Sequence, residues 1–269
     1  AMEDLRQALS PWGLTPLQAG GAADAGRPSP SAFEPGGAIA VQLARGDISM
    51  NGTGTVTYVE GDRVLAFGHP MFSAGDVRLP VATAEIVTFL PSQSMSFKMS
   101  MALQEKGALL QDRLPCIVAD TGQRATMMPL SIDVQGITPG AEQVAALQPH
   151  KTFRVELAQH RALTPLLAAT VTNNAIQSFL PDVTDAVVEI GTRIDVRGFA
   201  PLAGSDYMAA PEGVSNKMII TSTGMRQLQD LMANPFAPVV VDRMDVRVRV
   251  RFRSDVAEIV GAALSGDEV

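Results

Sequence analysis

Between residues 38 and 138, apolar and polar positions change places every second residue, in short runs broken by Gly and Asp. Ala38-Ile39-Ala40-Val41-Gln42-Leu43 alternates, and Arg45-Gly46-Asp47 turns the chain. A run rich in β-branched residues at 53–59 turns at Glu60-Gly61-Asp62 into Arg63-Val64-Leu65-Ala66-Phe67. Further runs follow at 81–90, 94–103, 108–119 and 127–134. A period of two sends neighbouring side chains to opposite faces, so each run reads as a half-buried strand. Short strands at this spacing predict an antiparallel barrel or sandwich, and about six strands fit.

After Pro139-Gly140 the period changes. Residues 153–157 read as a strand, 163–180 as a helix, 186–196 as a strand, 206–210 as a short strand and 216–232 as ending in a helix. The clearest strand is 239–253. Met244, Val246, Val248, Val250 and Phe252 alternate there with Arg243, Asp245, Arg247, Arg249, Arg251 and Arg253. The apolar set is expected to face a core and Arg247, Arg249 and Arg251 to reach solvent. Strand-helix-strand-strand-helix-strand is the order of a ferredoxin-like layer. The fold expected is therefore mostly β with an α+β part: a six-stranded antiparallel barrel at 37–138 and a ferredoxin-like α+β domain at 141–254. Residues 1–36, rich in Gly, Pro and Ala without periodicity, read as a linker and the cut edge of a preceding region, and 255–269 as a tail.

Composition narrows the function. A formal net charge of -7 over 269 residues excludes a concentrated basic surface, so nucleic acid is not an expected partner. No apolar run approaches the length of a membrane span. Cys116 is the single cysteine, so no disulfide can form within the chain; in Leu-Pro-Cys-Ile-Val it reads as a small apolar residue. Met95, Met99, Met101, Met127 and Met128 read as core fillers rather than a metal site. No metal-ligand spacing links the three histidines, and Ser49 to Thr55 lacks a phosphate-loop Lys, so no metal and no cofactor are expected. Ala1 ahead of Met2 reads as a cloning remnant, and the missing targeting segment then says nothing about location.

One histidine stands out by position. His69 ends a strand in Ala66-Phe67-Gly68-His69-Pro70, beside a glycine that leaves room for a substrate backbone. A histidine there is either a general base or a structural hydrogen-bonding residue. His150 and His160 flank the strand at 153–157 and are expected to be solvated.

The stretch Arg45-Gly46-Asp47-Ile48, Gly54-Thr55-Val56-Thr57-Tyr58 and Gly61-Asp62-Arg63-Val64-Leu65-Ala66-Phe67-Gly68-His69-Pro70 resembles the core of the sporulation-factor-IVB (SpoIVB) type serine peptidases. The resemblance continues through Leu79-Pro80, Pro91-Ser92, Ser96-Phe97-Lys98 and Gln111-Asp112-Arg113, and spans roughly residues 36–135. It implies a fold similar to chymotrypsin's double barrel, an exported bacterial protein working outside the cytoplasm on protein or peptide substrates, and His69 as the base of a Ser-His-Asp arrangement.

The family's Gly-Met-Ser-Gly-Ser-Pro motif is absent. Ser265, followed by Gly266, lacks the preceding glycine, and Ser73 and Ser96 lie near His69 without a loop that would present oxyanion donors. The resemblance implies that the serine lies upstream of Ala1, so that this chain is the histidine-bearing part of a peptidase-like protein, inactive alone. A non-catalytic extracytoplasmic scaffold or protein-binding module is the competing reading. Asp112 is either the triad acid or the partner of an arginine, the latter favoured. The Arg strand either binds an anion or is a solvated face paired with carboxylates such as Glu156, Glu189 or Asp195, the latter again favoured.

Overall fold

The structure, a computed structural model, describes residues 30–91, 97–137, 149–180, 185–237, 239–252 and 261. Most of the 1–36 segment, the Pro139-Gly140 boundary, Met95, Ser96, Arg253, Ser265 and nearly all of the 255–269 tail lie outside them.

The chain is mostly β. The strands are β1 (Ala38–Gly46), β2 (Met50–Glu60), β3 (Arg63–Ala66), β4 (Gly75–Leu90), β5 (Phe97–Arg113), β6 (Cys116–Asp120), β7 (Met127–Ile137), β8 (His150–Ala158), β9 (Ala186–Val196), β10 (Leu202–Ala210) and β11 (Val241–Arg251). The helices are α1 (Thr164–Phe179), α2 (Asn216–Ile220) and α3 (Thr223–Ala233). Residues 94–103 and 108–119 were expected as separate strands. Instead β5 runs on to Arg113, kept in register with β4 by several bulges, and a turn at Leu114-Pro115 starts β6.

All of these strands join one sheet in the order β10-β9-β11-β7-β8-β1-β2-β3-β6-β5-β4, and β4 also pairs with β1. The pairings β1–β2–β3–β6–β5–β4 therefore return to β1. Ile39, Val41, Val56, Val64, Leu79, Val81, Leu109 and Ile117 of this circuit are all buried. The sheet forks on β1. Its residues 39–41 pair with 81–83 of β4, while 44–46 pair with 155–157 of β8 on the same edge.

Arg45-Gly46-Asp47 opens the β1–β2 turn as expected and also builds this fork. Arg45 binds Glu105 of β5 and donates from Nε to Glu156 of β8 at 2.6 Å, so one guanidinium ties both arms. Burial opposes the Arg45 charge, but the two carboxylates outweigh it and hold the group above its usual range. Gly46 has φ +115, and a Cβ there would stand 2.5 Å from the Arg154 carbonyl oxygen. Only glycine lets the two backbones approach so closely. Asp47 then accepts the Arg154 N–H at 2.7 Å.

The ferredoxin-like order does not form. In that layer the opening strand would lie among the strands that follow it. Here β8 pairs with β7 and β1, and β7 inserts beside β11 in parallel. Alternation placed β7 with the first group of strands, but it belongs to the helix-bearing half. The stretch 216–232 ends in a helix as expected: α2 stops before Thr221-Ser222, and the Asp206 carboxylate takes the Thr223 N–H and hydroxyl at 2.8 Å each and starts α3. On β11 the facing is as expected: Met244, Val246, Val248 and Val250 are buried while Arg247, Arg249 and Arg251 are exposed. Buried apolar residues of both halves form one continuous cluster. No helix among the described residues is long and apolar enough to cross a membrane.

Candidate functional site

The loop joining β3 to β4, residues 67–74, carries His69. Phe67 and Gly68 both take left-handed backbone angles (φ 72 and 74), as does Ser73 (φ 55). Phe67 is a bulky residue in a region it normally avoids, so its surroundings must hold it. They do so from β2. The Phe67 N–H donates to the Thr55 carbonyl at 2.9 Å, and its ring lies on Gly54, where a Cβ would stand 2.1 Å from Phe67 Cδ1. Gly52 makes similar room for the Met71 side chain. The glycines of β2 are thus the bed on which the Gly-His-Pro loop lies.

His69 is exposed, and its ring sits 5.6 Å from the Phe67 ring, tilted by 50°. Nδ1 lies 2.7 Å from the Pro70 carbonyl oxygen. A carbonyl only accepts, so this contact places the proton on Nδ1 and leaves the Nε2 lone pair free. Nε2 has no hydrogen-bond partner among the described residues. That tautomer and orientation suit a general base. Ser73 is exposed and makes no hydrogen bond to His69.

Asp112 fits neither expectation. It is 1% exposed, with no arginine on it. Oδ1 accepts the Met71 N–H at 2.7 Å, and Oδ2 accepts those of Phe72 at 2.6 Å and Ala74 at 3.2 Å. Its carboxylate holds the backbone of the loop rather than the histidine ring. The neighbouring Arg113 points to the other face and pairs with Asp76 at 2.8 Å. A bulge between Leu109 and Gln111 turns Asp112 inward: it pairs with buried Ile117 as Leu109 pairs with buried Ala119, whereas strict alternation from Leu109 would have put it outside.

Beside the loop, Lys98 of β5 donates to Thr55 Oγ1 at 2.9 Å. The same β4–β5 arm leaves Val87, Phe89 and Leu90 exposed. Of the methionines, Met127 and Met128 are buried and Met99 and Met101 half-buried. Cys116 is half-buried. His150 Nε2 lies 3.0 Å from both Asp133 oxygens on the surface. His160 is not solvated as expected but half-buried at the start of α1. Among the described residues no three His, Cys, Asp or Glu side chains group as metal ligands.

The arginines of β11 are largely paired. Arg243 binds Asp245, Arg249 reaches Glu189 at 3.6 Å, and Arg247 has Asp133 opposite it on β7. On β9, Arg193 binds Asp195 at 3.0 Å. A shallow cleft of about 480 Å³ lies at the upper end of this face among Arg45, Pro129, Ser131, Arg154, Glu156 and Arg243, so acid and base share its rim.

No protein-family model, curated protein or solved structure matches this chain.

Proposed function

We propose that this chain is the base-bearing part of a serine-peptidase-like protein of the SpoIVB type, acting outside the cytoplasm on protein substrates. The observation that carries the reading is His69: exposed, with Nδ1 committed to the Pro70 carbonyl and Nε2 free. In this reading the β1–β6 circuit is a six-stranded barrel similar to one of chymotrypsin's. A serine supplied by residues outside this sequence attacks the peptide carbonyl carbon. His69 Nε2 takes the hydroxyl proton and returns it to the leaving amine, and water then releases the acyl group by the same route in reverse. The Pro70 carbonyl does the orienting that a carboxylate does in the usual triad, since Asp112 is occupied by the loop.

A serine-directed fluorophosphonate tests this. The 269-residue chain alone is expected to remain unlabelled, because among the described residues no serine hydrogen-bonds to His69. A polypeptide extended upstream through a Gly-x-Ser-Gly motif is expected to label, and His69→Ala in it to abolish labelling. Specific labelling of the chain alone, or a labelled His69→Ala protein, would contradict the proposal.

One observation favours a second reading, a protein-binding scaffold. The acid of the expected triad is spent on backbone N–H groups, and Val87, Phe89 and Leu90 offer apolar surface on the arm beside the loop. An extended protein that stays unlabelled yet binds a client through this arm, with binding lost in Phe89→Ser, decides for the scaffold.

A further inference from the structure

The cleft between β8 and β11 is lined by the three arginines Arg45, Arg154 and Arg243 and by one acid, Glu156. Its shape follows from the register. On the face turned away from the core, Pro129 and Ser131 of β7 stand opposite Glu156 and Arg154 of β8, and Ser131 also stands opposite Asp245 of β11. Arg45 of β1 comes next to Glu156 in the same row. The side chains of β7 are short and those of its neighbours long, so β7 is the floor of a trough and the strands beside it are the walls. Its volume of about 480 Å³ is one that takes a small organic ligand.

The cations on the walls are not equally satisfied. Arg45 holds Glu105 and Glu156, and Arg243 holds Asp245 through Nε and Nη2. Arg154 is tied by its backbone alone: its N–H donates to Asp47 Oδ2 at 2.7 Å, and its carbonyl accepts the Asp47 N–H at 3.0 Å. Among the described residues its guanidinium has no acceptor, and the Ser131 hydroxyl facing it makes no hydrogen bond. The surplus cation therefore stands on β8, across the trough from the charge-balanced ladder of β11, on a backbone that is fixed.

We propose that the trough over β7 is a carboxylate-binding site, with the Arg154 guanidinium and the Ser131 hydroxyl as its donors. Directly opposed residues of antiparallel strands have Cβ atoms about 4.5–5.5 Å apart, so both donors reach one anion. A planar fork beside a single hydroxyl matches a planar anion of one charge, held by two parallel N–H bonds. A phosphate dianion matches it less well. The other two arginines already carry carboxylates, and Glu156 repels a second negative charge. The remaining space admits the body that bears the carboxylate, either a free organic acid or the C-terminal end of a peptide. The site needs neither His69 nor a serine, so it stands apart from the peptidase reading.

NMR titration of the isotope-labelled chain tests the site, read at the Arg154 Nε–H group and at the Ser131 and Arg154 amides. The probes are acetate, inorganic phosphate, N-acetyl-trialanine and its C-terminal amide. Saturable shifts at all three signals are expected with acetate and with the free-acid peptide, and none with the amide. Tighter binding of the peptide than of acetate assigns the site to a chain end, and equal binding assigns it to a free acid. Arg154→Gln is expected to weaken binding about tenfold or more, and Ser131→Ala about threefold. Arg247→Gln, on the ladder, is expected to leave it unchanged. Arg154 and Arg247 are both exposed, so neither change threatens the fold. The proposal is overturned if neither carboxylate gives saturable shifts, if the amide binds as well as the acid, or if phosphate binds more tightly than both. It is equally overturned if Arg247→Gln weakens binding as much as Arg154→Gln, since that is general attraction to a charged face.

Discussion

On β11, Arg243 and Arg249 have carboxylate partners on their own or the neighbouring strand, and Arg247 faces Asp133. At the end of β3 the arrangement is the reverse. Asp112 beneath the loop is buried and consumed by backbone, and among the described residues the His69 ring that faces water has no acidic partner. Both surfaces are polar, but only the second is held in a costly state. Left-handed Phe67 and a buried Asp112 persist because β2 and the loop amides over-determine them. A flat sheet face with alternating charge satisfies itself and asks nothing of a ligand. A strained loop anchored from below and open above is where a reactive group can be kept in place.

The comparison breaks most visibly at Asp112. Asp112→Ala leaves three backbone N–H groups without their acceptor, and the expected loss of stability is about 3–5 kcal/mol by urea unfolding. A loss below about 1 kcal/mol would mean that the loop does not depend on this anchor. Gly54→Ala comes next. The new methyl must displace the Phe67 ring, at a cost of about 1–3 kcal/mol. Because Phe67 stacks near His69, the His69 ring resonances are expected to shift as well. Unchanged His69 resonances would show that the glycine bed does not position the histidine. Arg247→Ala should do least. The side chain is exposed on a charge-balanced face, and stability is expected to stay within about 0.5 kcal/mol of the parent. A larger loss would mean that the ladder carries structural weight.

Much of this was legible in the sequence because strand period is local. The facing of β11, the strand end at His69 and helix α1 follow from spacing alone. Pairing partners do not. β7 alternates like its predecessors, and nothing within residues 127–137 reveals that its neighbour is β11, more than a hundred residues on. The ferredoxin-like expectation failed on that strand. Arg45-Gly46-Asp47 opens the β1–β2 turn as its Gly-Asp predicts, but that its Gly is also required by the close approach of β8 is a contact between distant segments. Asp112 reads as the partner of an arginine, because the bulge between Leu109 and Gln111 that turns it inward cannot be seen in the alternation. His160 reads as solvated because its burial depends on where β8 ends and α1 begins.

The central claim is that His69 offers an unprotonated Nε2 to a partner while Nδ1–H is held by Pro70. Long-range proton–nitrogen NMR of the neutral ring reads this directly. The account predicts that the neutral His69 ring is the Nδ1–H tautomer, with Nε2 giving the shift of an unprotonated nitrogen. A dominant Nε2–H tautomer would contradict it, because the lone pair would then face the protein's own backbone and no base would face solvent.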